Sequence, residues 1–219
     1  MGIPVYFKQI IETHTTDIIH NVTKCNNLFF DLNCLLHPCC SACTSGDEAE
    51  MIESIKKTIE KIISMSQVSD LVYIAIDGPA PRAKMEQQKR RRYKNLFETK
   101  VWNTSAITPG TFFMKQLNKE LHRFIEDEIQ FSGKILLSDS SEPGEGEHKI
   151  LDYLKNNKST IKHDINVIYG LDADLIMLAL VSNYKTIYLL RERTEYNIEK
   201  IDSEYIYLNI QRLQQKIIE

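Results

Sequence analysis

Apolar positions along this chain switch repeatedly between two periods, and the switching outlines strands alternating with helices. Asn27–Leu32 (NLFFDL), Leu71–Ile76 (LVYIAI), Lys134–Leu137, Ile165–Tyr169 and Thr186–Leu190 are short apolar runs of strand length. Glu48–Met65 instead carries Met51, Ile52, Ile55, Ile59, Ile62 and Ile63 on one helical stripe. Further helices are expected over the run that opens near Pro81, over Phe112–Ile129 behind the turn Thr108-Pro109-Gly110-Thr111, and over Gly146–Leu154 and Ala173–Leu180. Buried strands alternating with helices predict an α/β fold, a mostly parallel, twisted central sheet flanked by helices on both faces. The stretch Glu192–Glu219 is polar and is expected to be helical at its end. No internal repeat or low-complexity linker forces a second domain.

The chain has 219 residues, 42% apolar and 26% charged, enough for one full core in an ordinary globular protein. No apolar stretch approaches the ~20 residues of a membrane span. The first thirty residues lack a signal-peptide core, so a cytoplasmic location is expected, with the nucleus, or a host cytoplasm for a viral gene, left open. Tyr6 stands where a myristoylation motif has Ser or Thr. Five cysteines, an odd number, point to a reducing compartment. Four of them, Cys34, Cys39, Cys40 and Cys43, cluster around His37. A zinc knuckle is one reading. With no clean paired spacing, reduced thiols on a turn after a strand is the reading taken.

Charge sharpens the picture. Pro81 to Lys94 (PRAKMEQQKRRRYK) holds seven Lys or Arg against one Glu, a local +6 in a chain of net −3. Such a concentration suggests one aimed anion site. On a helix Lys84, Gln88, Arg91 and Arg92 share a face, and Arg forks beside a Lys point charge suit a terminal phosphate. A solvated helix or a nuclear localisation run (KRRR) would read the same way. Acids recur at strand ends. Asp31, Asp77 and Asp172 each close or follow an apolar strand, and in an open parallel sheet those ends face one crevice. Glu145/Glu147 and Asp172/Asp174 form two close pairs. Either pair contains an acid suited to a helix N-terminus, yet two neighbouring carboxylates repel unless a cation neutralises them. Hard oxygen donors select Mg2+ or Mn2+, and two such ions would clamp the attacking and leaving oxygens of a phosphoryl displacement. No GxxxxGK[ST] loop occurs, so nucleoside triphosphate hydrolysis is not expected.

The stretches MGIP, LFFDLNCLLHPC, IAIDGPAPRAKMEQQKRRRYK, ITPGTFFM, EPGEGEHKI, YGLDADLIML and LLRER occur in this order between Gly2 and Arg193. In these residues the chain resembles the Xrn-type 5′→3′ exoribonucleases. The resemblance implies a nuclease domain over residues 1–193 with a fold like that of PIN and flap nucleases, and a helical C-terminal extension over 194–219. It implies metal ligands at Asp31, Asp77, Glu145, Glu147, Asp172 and Asp174, and a 5′-phosphate pocket of Lys84, Gln88, Arg91 and Arg92. His37 would stack on a base of single-stranded RNA.

The implied activity is Mg2+-dependent, processive two-metal hydrolysis of 5′-monophosphorylated, decapped or cleaved RNA, releasing nucleoside 5′-monophosphates. Members of that family carry a further acidic ligand in a Gly-Asn-Asp-Phe-like stretch and an aromatic partner for the histidine, and neither motif is recognisable here. The segment between Lys94 and Ile107 is also shorter. A partner protein supplying the missing half is therefore part of the expectation. Two other classes stay open, a non-cutting RNA- or protein-binding module and a flap-type DNA nuclease.

Overall fold

The structure is a computed structural model that describes residues 22, 24–86, 89, 102–161, 163–170, 172, 174–182, 184, 186–192 and 204–218, and the backbone at 19 and 20. Seven strands form one sheet: β1 (Ile19–His20), β2 (Asn27–Asp31), β3 (Leu71–Ala75), β4 (Lys134–Ser138), β5 (Asn166–Tyr169), β6 (Ile187–Glu192) and β7 (Tyr205–Asn209). Their spatial order is β1-β7-β6-β5-β2-β3-β4. The block β4-β3-β2-β5-β6 is parallel throughout, while β7 runs antiparallel to both β6 and β1.

The α/β expectation holds, and burial on both faces is the reason. Every residue of β2, β3 and β5 is buried, so these strands read as unbroken apolar runs. Alternate side chains then divide between two cores. Leu28, Phe30, Val72 and Ile74 join the core on one face, and Phe29, Leu71, Tyr73 and Ala75 the core on the other.

Helix α1 (Asn33–Ala42), α2 (Glu48–Ser66) and α3 (Phe112–Arg123) cover the first face. Helix α4 (Gly146–Asn156), the short α5 (Lys158–Ile161), α6 (Asp174–Val181) and α7 (Ile210–Ile218) serve the second. The stripe expected on α2 is the buried one, and Asp47 caps its start by accepting from the Ala49 N–H at 2.8 Å. No helix among the described residues is long and apolar enough to cross a membrane.

Three local readings change. The cysteine cluster lies on a helix, α1, rather than on a turn: Leu35, Leu36 and Cys40 bury one face of it, which outweighs the rung removed by Pro38. The stretch after Glu192 adds β7 to the sheet before it ends in α7, because Tyr205–Leu208 is a buried segment between polar flanks. The α3 helix passes at Phe124 into a five-residue π-turn, Phe124–Glu128.

The connections decide where a site belongs. From β2 the chain moves outward through β3 to β4, then returns to β5 on the other side of β2 and continues to β6. The direction of winding therefore reverses between β2 and β5, and the crevice beyond their carboxyl ends is the usual ligand position in such a sheet.

Candidate metal centre

Asp31 is the last residue of β2, paired across the ladder with Ala75, the last residue of β3. Asp77 follows two residues beyond Ala75, and Asp172 three residues beyond Tyr169, the last residue of β5. Parallel registration alone thus carries three carboxylates to one sheet edge. Asp31 is only 4% exposed, and its Oδ1 has no hydrogen-bond partner. Burial pushes this carboxyl up to about 8. The negative charges of Asp77, Glu147 and Asp172 push the same way, and the Cys34 thiol, donating to Oδ2 at 3.4 Å, pulls against them.

Helix α4 brings two more acids. Glu145 occupies its N-cap position, but its side chain makes no capping bond and instead meets Lys84 Nζ at 2.6 Å. Capping therefore does not account for this carboxylate. Asp77 takes the place of a cap, accepting from the Gly146 N–H at 2.7 Å. Burial raises the Asp77 carboxyl although that bond opposes it. Glu147 is also raised, first by burial and then by Glu145, Asp172 and Asp174, against the opposing His148. Donor atoms of Glu145, Glu147 and His148 lie within 4.8 Å of one another, as do those of Asp31, Cys34 and Asp172.

The glycines here do two jobs rather than one. Gly144 has φ +113°, open only to glycine without strain, and it turns the chain into α4. A Cβ on Gly146 would stand 2.7 Å from Asp31 Oδ1. That position is reserved for close approach of α4 to β2.

All six expected ligands sit on elements that meet at this edge, and Asp31 and Glu147 each sense acids from other segments. Lys84 is half-buried and faces the acids. His37 is exposed on α1, one turn beyond Asn33 and Cys34, whose side chains reach Asp77 and Asp31. Gln88, Arg91 and Arg92 lie outside the described residues.

Two residues that the sequence pattern does not single out support the site. Arg191 is fully buried at the end of β6 and donates through Nε to the Gly170 carbonyl at 3.1 Å and through its terminal guanidinium nitrogen to the Asp172 carbonyl at 2.8 Å. Lys149, buried in α4, donates to the carbonyls of Ile76 and Asp139, both at 2.8 Å. The only available signal was a cation abutting an apolar run, in LLRER and in EHKI.

Crowded carboxylates with an orphaned buried oxygen fit a hard divalent cation, because its charge removes the repulsion and its coordination satisfies that oxygen.

The family model for the XRN 5′-3′ exonuclease N-terminus matches residues 1–101 and 94–193. A 5′-3′ exoribonuclease 2 of Cryptococcus neoformans is 39% identical over 211 residues, covering 78% of this chain and 19% of the relative. The 5′-3′ exoribonuclease 2 homolog of Drosophila melanogaster is 31% identical, covering 88% of this chain and 28% of the relative. A 5′-3′ exoribonuclease 1 of Schizosaccharomyces pombe is 33% identical, covering 90% and 17%. The chain therefore spans less than a third of these relatives. Among solved structures, the catalytic core of Rad2 in complex with DNA substrate aligns over 96% of this chain and 58% of its own, with TM-score 0.52 and 14% identity. That likeness is one of fold.

Proposed function

The chain belongs to the family defined by the XRN 5′-3′ exonuclease N-terminus, and on that premise we propose that it is a Mg2+-dependent 5′→3′ exoribonuclease for 5′-monophosphorylated single-stranded RNA. The observation that carries this reading is Asp31, buried, unpartnered at Oδ1 and ringed by carboxylates at the switch point of the sheet. Mg2+ or Mn2+ held by Asp31, Asp77, Glu145, Glu147, Asp172 and Asp174 supplies, when bound, an activated water and positive charge beside a displaced oxygen.

The protein's own groups do the rest. Lys84 presents a point charge to the leading phosphate from beside Glu145. Gln88, Arg91 and Arg92, which the family resemblance implies, are assigned to the same phosphate pocket, with a 5′-monophosphate as its proposed ligand and a cap or triphosphate excluded. His37 offers an exposed ring to the first bases. Arg191 and Lys149 hold the backbone that carries Asp172 and Asp77, so the acids keep their places as charge changes around them. The products are nucleoside 5′-monophosphates. The further carboxylate and the second stacking ring of the family, for which no motif is recognisable in these 219 residues, are proposed to come from outside them, a partner protein being one source.

Incubation with 5′-monophosphorylated RNA, its triphosphorylated form and DNA of the same sequence tests the reading. Loss of the monophosphorylated RNA alone, abolished by EDTA, is expected. RNA that is bound but never shortened under Mg2+ or Mn2+ would leave a binding module in its place, and preferred loss of DNA would make it a flap-type nuclease.

A further inference from the structure

Sulfur is out of place in a site built for hard cations. Cys34 lies in the first turn of α1, and its Sγ stands 3.4 Å from Asp31 Oδ2. Donor atoms of Asp31, Cys34 and Asp172 all lie within 4.8 Å of one another. Asp31 is 4% exposed; its Oδ2 accepts from Cys34, and its Oδ1, on the side of Gly146, has no hydrogen-bond partner.

Mg2+ takes oxygen donors, whereas a thiolate favours zinc and its softer relatives. The spacing agrees with the latter class. Tetrahedral zinc at about 2.3 Å from sulfur and about 2.0 Å from a carboxylate oxygen puts the two donors about 3.5 Å apart. The other described thiols lie away from the crevice. Cys25 and Cys40 are buried in the core, Cys39 meets Thr58 at 3.7 Å, and Cys43 meets Ser45 and Glu50 on the surface. Cys34 is the sulfur at the crevice.

We infer that Asp31, Cys34 and Asp172 form a second, sulfur-containing cation position selective for thiophilic divalent ions of the Zn2+ and Cd2+ class. An ion seated there takes Asp31 and Asp172 away from Mg2+, so the chain is inhibited by zinc at the site where it needs magnesium. On binding, Sγ gives an electron pair to the cation and its proton passes to solvent. The inference rests on the metal-site part of the proposed function and on none of its RNA specificity.

The test uses the full chain and Cd2+ as probe, followed by calorimetry and by the ultraviolet thiolate-to-cadmium charge-transfer band, with Mn2+ binding measured in parallel. Cys34→Ser keeps an oxygen donor and removes the sulfur. It is expected to abolish the band and to lower Cd2+ affinity ~10–100-fold relative to Mn2+. Cys43→Ser, altering the surface thiol beside Glu50, is expected to retain both. Mn2+ binding with no Cys34-dependent band overturns this inference and leaves the nuclease reading standing. A Cys34-dependent band without Mn2+ binding sustains the sulfur-containing position but overturns its competition with magnesium, together with the magnesium site of the proposed function. Equal Cd2+ affinity in wild type and Cys34→Ser overturns it outright.

Discussion

Arg191 donates to the Asp172 carbonyl at 2.8 Å from a fully buried position on β6, so the loop that presents one acid of the crevice is held by a cation from the neighbouring strand. The same guanidinium also donates to Gly170. The arrangement fixes the backbone on both sides of residue 171, ahead of the acid it presents.

Arg191→Met removes the charge-assisted bonds to Gly170 and Asp172, among others, and is expected to destabilise by about 2–4 kcal/mol, read by chemical denaturation. Arg191→Lys keeps the charge but not the fork, and a single ammonium cannot hold both carbonyls in the same geometry. For that variant kcat should fall more than KM, because the acids shift while the RNA-binding groups stay. Equal kcat in Arg191→Lys and wild type would show that Asp172 is positioned without the fork.

Asp31 contributes to the pH response of the metal-free protein, beside Asp77 and Glu147, whose carboxyls burial also raises. Its carboxyl is raised to about 8 in the folded state, against 3.8 for an ordinary Asp side chain, so the folded chain holds a proton that the unfolded chain has released. The associated stability is present below the lower value and is lost as pH rises through the upper one. Asp31→Asn never ionises. It should be more stable than wild type in EDTA by a few kcal/mol at pH 8 and above, since each tenfold change in proton affinity is worth about 1.4 kcal/mol. Mg2+ should stabilise the wild type more than Asp31→Asn, because the variant lacks the buried charged ligand. Thermal denaturation at pH 5 and pH 8.5, with and without Mg2+, reads both effects. A wild type as stable as Asp31→Asn at the higher pH in EDTA would refute the buried charge.

Much of this site was legible from the chain because parallel sheets convert local order into a common edge. Strands buried on both faces appear as unbroken apolar runs, and an Asp at the end of each can only face that edge. The pair Glu145/Glu147 was legible as acids, though not the division of labour that makes Asp77, rather than Glu145, bond the first turn of α4. Arg191 and Lys149 were not legible. Each bonds backbone carbonyls, Arg191 to Gly170 across 21 residues of chain and Lys149 to Ile76 across 73, and no spacing rule reports a contact of that kind. Helix α1 was hidden by Pro38, and β7 by the polar residues around the short segment Tyr-Ile-Tyr-Leu.

Gly146 tests the close approach of α4 to β2. Its missing Cβ would lie 2.7 Å from Asp31 Oδ1 and 3.3 Å from the Ala75 carbonyl, and neither neighbour is the free end of a flexible side chain. Gly146→Ala is expected to cost about 1–3 kcal/mol and to abolish stabilisation by Mg2+. Gly110→Ala is the control. It meets nothing within 4 Å but has φ +89°, so it strains the backbone by about 1–2 kcal/mol and should leave the Mg2+ response intact. Identical Mg2+ responses in the two variants would show that the approach to Asp31 is irrelevant to cation binding.

Lys84 separates phosphate recognition from metal binding. Its Nζ lies 2.6 Å from Glu145 Oε2, and that bond holds the ammonium above its usual range. The pair is partly solvated, so its loss should change stability by less than about 1 kcal/mol. On the proposed function its value lies in aim, because Glu145 keeps the ammonium beside the acids, where a phosphate would compete for it. Lys84→Ala is therefore expected to raise KM for 5′-monophosphorylated RNA about tenfold, to erase the preference over a 5′-hydroxyl end, and to leave Mn2+ affinity nearly unchanged. Lys84→Arg should recover part of the preference, since charge is restored with a different fork. Parallel kinetics on the two RNA ends, with Mn2+ titrations, make the distinction. A Lys84→Ala protein that still prefers the monophosphorylated end would move phosphate recognition entirely to other residues.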